Sequence, residues 1–89
     1  MDYNELKRAL LRVVADNGSL DSARVAQILS TLRIAELDIH AVRMALMRYY
    51  KLGLLKRARV GGSFTYALTQ RGRVRLEWLE RQTRKTTST

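Results

Sequence analysis

The stretch that decides the fold is residues 49–72, with the sequence YYKLGLLKRARVGGSFTYALTQRG. It opens at the end of a helical pattern, and after Gly53 the pattern changes from helical to strand-like. Gly61 and Gly62 come next, and paired glycines supply the positive φ that a tight hairpin turn requires. A second strand-like run then leads to Thr69, which fits the N-cap of another helix. The stretch therefore predicts helix, strand, tight turn, strand and helix in succession.

Three helical patterns account for most of the chain before this stretch. In each, apolar residues recur three and four positions apart, as on the buried side of a helix. Asp2, Asp21 and Asp38 stand where N-cap residues are expected. The predicted elements, in chain order, are a helix at 3–16, a short extended stub at 19–20, helices at 22–31 and 39–52, strands at 54–60 and 64–68, and a helix at 70–82.

These elements predict one α+β, mostly helical domain that covers residues 1–82. The order is helix, short strand, helix, helix, strand, turn, strand and helix. Residues 83–89 carry no apolar side chain, so they are predicted to form a disordered polar tail.

The composition limits what such a chain can do. It has 89 residues, enough for one small domain, and no cysteine, which excludes disulfides and thiolate metal ligands. The single histidine, His40, has no second ligand at metal-site spacing. Gly61-Gly62 lacks the context of a phosphate-binding loop, and no HExxH motif occurs. We therefore expect no enzyme activity, no cofactor and no metal. Without a signal peptide or a long apolar run, we expect a soluble cytoplasmic protein.

The charge is concentrated in the middle of the chain. The net charge is +9, and residues 39–76 carry nine basic and no acidic side chains. Residues 1–38 carry five basic and six acidic side chains, and residues 77–89 carry three basic and two acidic ones. A long segment with no carboxylate attracts a polyanion, which for a folded domain of this kind is most often nucleic acid.

Three segments within the deciding stretch resemble parts of winged helix-turn-helix proteins. They are residues 49–55, residues 57–64 and the segment Tyr66-Ala67-Leu68-Thr69-Gln70-Arg71-Gly72. The last is similar to a Y-x-L-T-x-x-G turn that leads into the final helix of many regulators. Over residues 2–82 the chain resembles small archaeal and bacterial regulators of the PadR-like and MarR-like kinds. The resemblance implies a winged-helix fold and sequence-specific binding of double-stranded DNA by a transcriptional repressor.

In helix-turn-helix proteins the second helix of the motif enters the major groove, which is wide enough for one α-helix. Here that helix is the one predicted at 39–52. Arg43 and Arg48 can donate paired hydrogen bonds to guanine or single bonds to phosphate. Met44 and Met47 suit thymine methyl groups as well as they suit a core or dimer contact. The predicted DNA-binding residues of this helix are His40, Ala41, Arg43, Met44, Met47, Arg48 and Lys51.

The glycine-tipped hairpin forms the wing that the resemblance implies. We expect it to lie along the DNA backbone or in the adjacent minor groove, where a negative potential favours arginine. The predicted DNA-binding residues of the wing are Lys56, Arg57, Arg59, Ser63 and Thr65. Arg33, Arg71 and Arg73 are candidates for further backbone contacts. Basic residues at the start of a helix oppose the helix dipole, which suggests an offsetting use for the last two.

The terminal helices carry more apolar surface than a small core can use. The resemblance implies that such helices build a two-fold dimer, which would place two recognition helices about 34 Å apart in successive major grooves. The predicted dimer-interface residues are Tyr3, Leu11, Val14, Val74 and Trp78.

Two other functions use the same features. The first is a DNA-coating or DNA-partition protein that spreads cooperatively and associates with the nucleoid. The second is a winged-helix module whose basic surface binds an acidic protein partner. RNA binding is less consistent with the sequence, because the aromatic residues fit core positions better than a base-stacking platform; these are Tyr49, Tyr50, Phe64 and Tyr66.

Overall fold

The structure is a computed structural model that describes residues 3–34 and 38–87, with side chains described for 4–34 and 38–82. The elements, in chain order, are α1 (Tyr3–Asn17), β1 (Leu20–Asp21), α2 (Ser22–Thr31), α3 (Ile39–Lys51), β2 (Leu55–Val60), β3 (Ser63–Leu68) and α4 (Gln70–Thr87). This is the order predicted from the sequence, and every boundary except the end of α4 agrees with the prediction to within one residue. None of the helices in the described residues is both long and apolar enough to cross a membrane.

Two of the predicted N-caps are present. The Asp21 carboxylate accepts a hydrogen bond from the Arg24 backbone N–H at 2.8 Å, and that of Asp38 accepts from Ala41 N–H at 2.7 Å. Each carboxylate satisfies an N–H group that has no acceptor within the helix. The third predicted cap, Asp2, lies outside the described residues.

The three strands form one antiparallel sheet in the order β1-β3-β2. The stub pairs Leu20 with Tyr66, one position later in the chain than predicted, while the hairpin pairs Leu55 with Leu68 and Val60 with Ser63. Gly61 and Gly62 have φ values of +56° and +86°, as a tight hairpin turn requires.

One apolar core joins the helices to the base of the sheet. Its fully buried members include Leu10 of α1, Val25 of α2, Leu46 of α3 and Leu55 of β2. Two large apolar residues are exceptions: Leu32 is 60% exposed and Ile39 is 36% exposed. Both lie at the ends of helices that border residues 35–37, beyond the reach of the packed layers.

The last helix is fixed by a close approach of two backbones. A Cβ at Gly72 would lie 1.9 Å from the carbonyl oxygen of Leu54, so only glycine fits there. The Thr69 hydroxyl accepts from the Gly72 N–H at 2.9 Å and donates to the Gly53 carbonyl at 2.6 Å. The turn between α3 and β2 is therefore bound directly to the start of α4.

The end of α4 differs from the prediction. The helix continues through Thr87, so residues 83–87 are helical and the predicted disordered tail is wrong for them. Residues 81–87 contain no glycine or proline to end the helix. Residues 88–89 lie outside the described residues.

Candidate nucleic-acid interface

The exposed surface of α3 has two parts. His40, Met44, Arg48 and Lys51 are exposed along one side of the helix, whereas Arg43 and Met47 turn towards the wing. Ala41 is half-buried and contributes little surface. The inner side of the helix supplies Val42, Leu46 and Tyr49 to the core, which fixes the direction of the outer side chains.

A groove separates α3 from the wing. It encloses about 270 Å³ and is closed at one end by the start of α2. Arg43 and Met47 line one wall, and Gly62, Ser63 and Phe64 line the other. Asp21 also borders it, but its carboxylate is engaged by the first turn of α2. Residues predicted to bind DNA from two separate elements therefore share one surface.

The strand register divides the predicted wing residues between two faces of the hairpin. Directly paired residues of antiparallel strands lie on the same face, and Arg57 pairs with Tyr66 while Arg59 pairs with Phe64. These two arginines therefore share the face that turns towards α3. Of the other three predicted wing residues, Lys56 and Thr65 lie on the opposite face, whereas Ser63, next to the tip of the hairpin, borders the groove.

Two aromatic residues on this surface were predicted to be in the core. That prediction is wrong, because Tyr50 is 38% exposed and Phe64 is 41% exposed, whereas Tyr49 and Tyr66 are buried. Phe64 does lie on the same inward face as Tyr66, but the hairpin extends past the helices, so the outer half of the hairpin, where Phe64 lies, is uncovered. Tyr50 directly follows the buried Tyr49 on α3, and the rotation between successive residues of a helix turns its side chain towards the wing.

We use the term basic face for this combined surface of α3 and the inward side of the wing. Its members are His40, Arg43, Met44, Met47, Arg48, Tyr50, Lys51, Arg57, Arg59 and Phe64. No acidic side chain occurs between 39 and 76, so neither α3 nor the hairpin supplies a carboxylate that could neutralise the basic members of this face.

The three candidate backbone contacts lie apart from one another. Arg33 is exposed in the turn after α2, with a φ of +57°, next to residues 35–37. Arg71 and Arg73 are exposed in the first turn of α4. A Cβ at Gly53 would lie 3.4 Å from Cδ of Arg71, so that side chain rests on the end of α3.

The predicted dimer residues are only partly available. Leu11 and Val14 are completely buried in the core of a single chain, so the prediction that they form an interface is wrong. Because α1 and α4 pack on each other, the part of the apolar surface of α1 that contains Leu11 and Val14 is buried. The side chain of Tyr3 lies outside the described residues.

Val74 and Trp78 are 55% and 41% exposed, respectively. Together with Leu54 they form the apolar part of a shallow groove on the outer side of α4, whose charged members are Arg71, Arg75 and Arg81. This surface is apolar enough to pack against a partner.

An ion-pair cluster joins α1 to α4. Arg12 of α1 donates two hydrogen bonds to the carboxylate of Glu80 on α4, one of them at 2.9 Å. It also donates to Asp16 at 3.2 Å. The hydrogen bond to Glu80 raises the pKa of Arg12 above its ordinary value, against a smaller opposing effect of burial. These charges hold two helices together.

The comparisons with known proteins identify the fold. The sequence matches no family model, and no curated protein matches it. The structure is similar to that of the YusO protein from Bacillus subtilis, with a TM-score of 0.78 and 18% identity over 92% of this chain and 56% of that chain. The chain thus spans little more than half the length of YusO.

Two further structures are similar. The structure of an hsRosR-S1 complex has a TM-score of 0.75 and 18% identity, over 90% of this chain and 72% of that chain. The AntR antimony-specific transcriptional repressor has a TM-score of 0.67 and 22% identity, over 92% of this chain and 69% of that chain. The predicted winged-helix fold is confirmed.

Proposed function

We propose that this protein is a double-stranded DNA-binding transcriptional regulator without enzyme activity. The observation that carries the proposal is the basic face, which brings Arg43 of α3 and Arg59 of the wing onto one surface. The segment that contains both residues, 39–76, has no acidic side chain. A concentrated positive charge on a rigid surface attracts the DNA backbone.

The geometry suits a duplex groove. The 13 residues of α3 span about 20 Å at about 1.5 Å per residue, and one helix fits the major groove of B-DNA. We propose that His40, Arg43, Met44 and Arg48 reach the base edges and nearby phosphates. The wing then follows the backbone or enters the minor groove, with Arg59 nearest its tip.

We further propose that the protein acts as a homodimeric repressor. Val74 and Trp78 offer an apolar surface on α4 that the single chain leaves exposed, and two-fold pairing would present two copies of α3 to a near-palindromic site. AntR, which shares the fold, is a transcriptional repressor. If the α4 surface packs on itself, its arginines meet like charges, so we expect salt to strengthen the dimer while it weakens DNA binding.

Mobility shifts on duplex DNA test the proposal. The wild-type protein is titrated onto DNA from upstream of its own gene and onto random genomic fragments, at about 50 and about 200 mM salt, between which phosphate contacts lose most of their affinity. We expect one discrete complex on the upstream DNA, weakened by Arg43→Ala by roughly 1–3 kcal/mol, or about 5-fold to 150-fold. Arg12→Ala removes the same charge from the α1/α4 side, away from the basic face, and is the matched control.

Other outcomes would contradict the proposal in different ways. A ladder that climbs to very large complexes on every fragment would favour a protein that coats or organises DNA. The absence of any shift at either salt concentration would exclude DNA binding and leave the basic face as a surface for an acidic protein.

A further inference from the structure

Arg57 is packed against two aromatic rings at the junction of α3 and the wing. Its guanidinium carbon lies 4.3 Å from the ring centre of Tyr50 and 4.3 Å from that of Phe64. Tyr50 belongs to α3, Arg57 to β2 and Phe64 to β3, so three elements meet at this one side chain. The negative face of an aromatic ring attracts a guanidinium group, and the two contacts together restrict how the side chain can turn.

The hydrogen-bonding capacity of Arg57 is unused. Within the described residues its guanidinium donates no hydrogen bond and forms no ion pair, and its nitrogens are not buried away from solvent. Ring contacts engage the flat face of a guanidinium, whereas its N–H donors point outwards in its plane. The rings therefore hold the group and leave its donor edge available.

Arg59 provides the contrast on the same face of the hairpin. It is exposed, and its guanidinium carbon lies 5.7 Å from one ring, that of Phe64. The two arginines therefore differ in how firmly the protein holds their side chains. Arg57 is half-buried against two rings, whereas Arg59 is exposed and has one distant ring contact. Ordering a long side chain costs free energy on binding, and the rings have already met part of that cost for Arg57.

We propose that Arg57 is a pre-positioned phosphate-binding residue of the basic face, and that Tyr50 and Phe64 are its positioning residues. The ligand is a backbone phosphate of duplex DNA, because a phosphate accepts paired hydrogen bonds from the planar donor edge of arginine. The inference rests on the proposed function and assigns a role to two aromatic residues that carry no charge themselves.

The salt dependence of DNA affinity tests the positioning role. Each phosphate contact contributes about −0.9 to the slope of log affinity against log salt. We expect Arg57→Ala to make the slope shallower by about this amount. We expect Phe64→Leu to do nearly the same although it removes no charge, and the double variant to be no shallower than Arg57→Ala alone. Tyr50→Leu is the second positioning variant, and thermal unfolding verifies that each variant is folded.

Lysine substitutions give a matched comparison. Arg57→Lys keeps the charge but loses the flat group that the rings hold, and we expect it to weaken DNA binding about 10-fold, the loss of a single well-placed contact. Arg59→Lys makes the same change where the ring contact is distant, and we expect a loss below about 3-fold on the same reasoning.

The outcomes separate this inference from the proposed function. If the wild-type protein fails to bind duplex DNA, both are excluded. If it binds with a steep salt dependence but Phe64→Leu and Tyr50→Leu leave the slope unchanged, only the positioning role is overturned. Equal losses for the two lysine variants, or an effect of Arg57→Ala confined to a single DNA sequence, would likewise overturn it.

Discussion

The α1/α4 side of the molecule and its basic face use charge in opposite ways. On the α1/α4 side, Arg12 is bound by the carboxylates of Glu80 and Asp16, so its charge is neutralised where it joins two helices. On the basic face, Arg57 and Arg59 contact aromatic rings that carry no charge. An arginine that is ion-paired with a carboxylate stabilises the fold, whereas an arginine that packs on an aromatic ring keeps its charge available for a ligand.

The two sides meet at the junction of Leu54, Thr69 and Gly72, and breaking that junction should have the largest effect. We expect Gly72→Ala to lower the free energy of unfolding by roughly 3 kcal/mol, because its methyl group would overlap the Leu54 carbonyl and the backbones would have to separate. Urea denaturation measures the loss. Gly62→Ala, at the open tip of the wing with a φ of +86° and no atom within 4 Å, is the control, with an expected cost of about 1 kcal/mol from strain alone. Equal losses for the two variants would contradict the close approach.

A smaller effect is expected from the hydroxyl at the same junction. Thr69→Ala removes the N-cap of α4 and the bond to the Gly53 carbonyl, and should lower the free energy of unfolding by about 1 kcal/mol. Thr69→Ser keeps the hydroxyl and should recover most of this loss. Thermal unfolding of the three proteins measures both values, and a serine variant as unstable as the alanine variant would show that the hydroxyl is unimportant.

The ion pairs of the α1/α4 side should contribute least. Glu80→Gln removes a partly exposed pair, so we expect a loss of about 0.5 kcal/mol that shrinks as salt is added. The pKa of Arg12 is raised in the folded state, so its contribution is fully present at neutral pH and is lost only at strongly alkaline pH. Urea denaturation at low and high salt measures the effect. DNA affinity should not change, and a loss of affinity as large as that of Arg43→Ala would contradict the separation of the two sides.

The order of the elements could be predicted because local signals determine it. Asp21 and Asp38 cap their helices, Gly61-Gly62 forms the tip of the hairpin, and the helical and strand-like periods differ clearly. The requirement for glycine at position 72 could not be predicted in this way, because it comes from the Leu54 carbonyl of the α3–β2 turn, a contact distant in sequence.

The parts that were missed depend on how far one element covers another. Leu11 and Val14 seemed to be surplus apolar residues on α1, yet α4 and the rest of the core bury them completely. Phe64 and Tyr50 seemed to be core residues, yet Phe64 lies where the hairpin extends past the helices and Tyr50 turns from the core towards the wing, so both rings are exposed. Periodicity assigns a residue to a face of its element but does not show where the covering layer ends.

Binding of the DNA backbone by the basic face is tested most directly by the salt dependence of affinity for a fluorescent duplex, measured by anisotropy. With about −0.9 per phosphate contact, we expect a wild-type slope of about −4 or steeper. Arg43→Ala should weaken binding and make the slope shallower, and Arg12→Ala should leave both unchanged. A slope near zero, or equal losses for the two variants, would contradict the account.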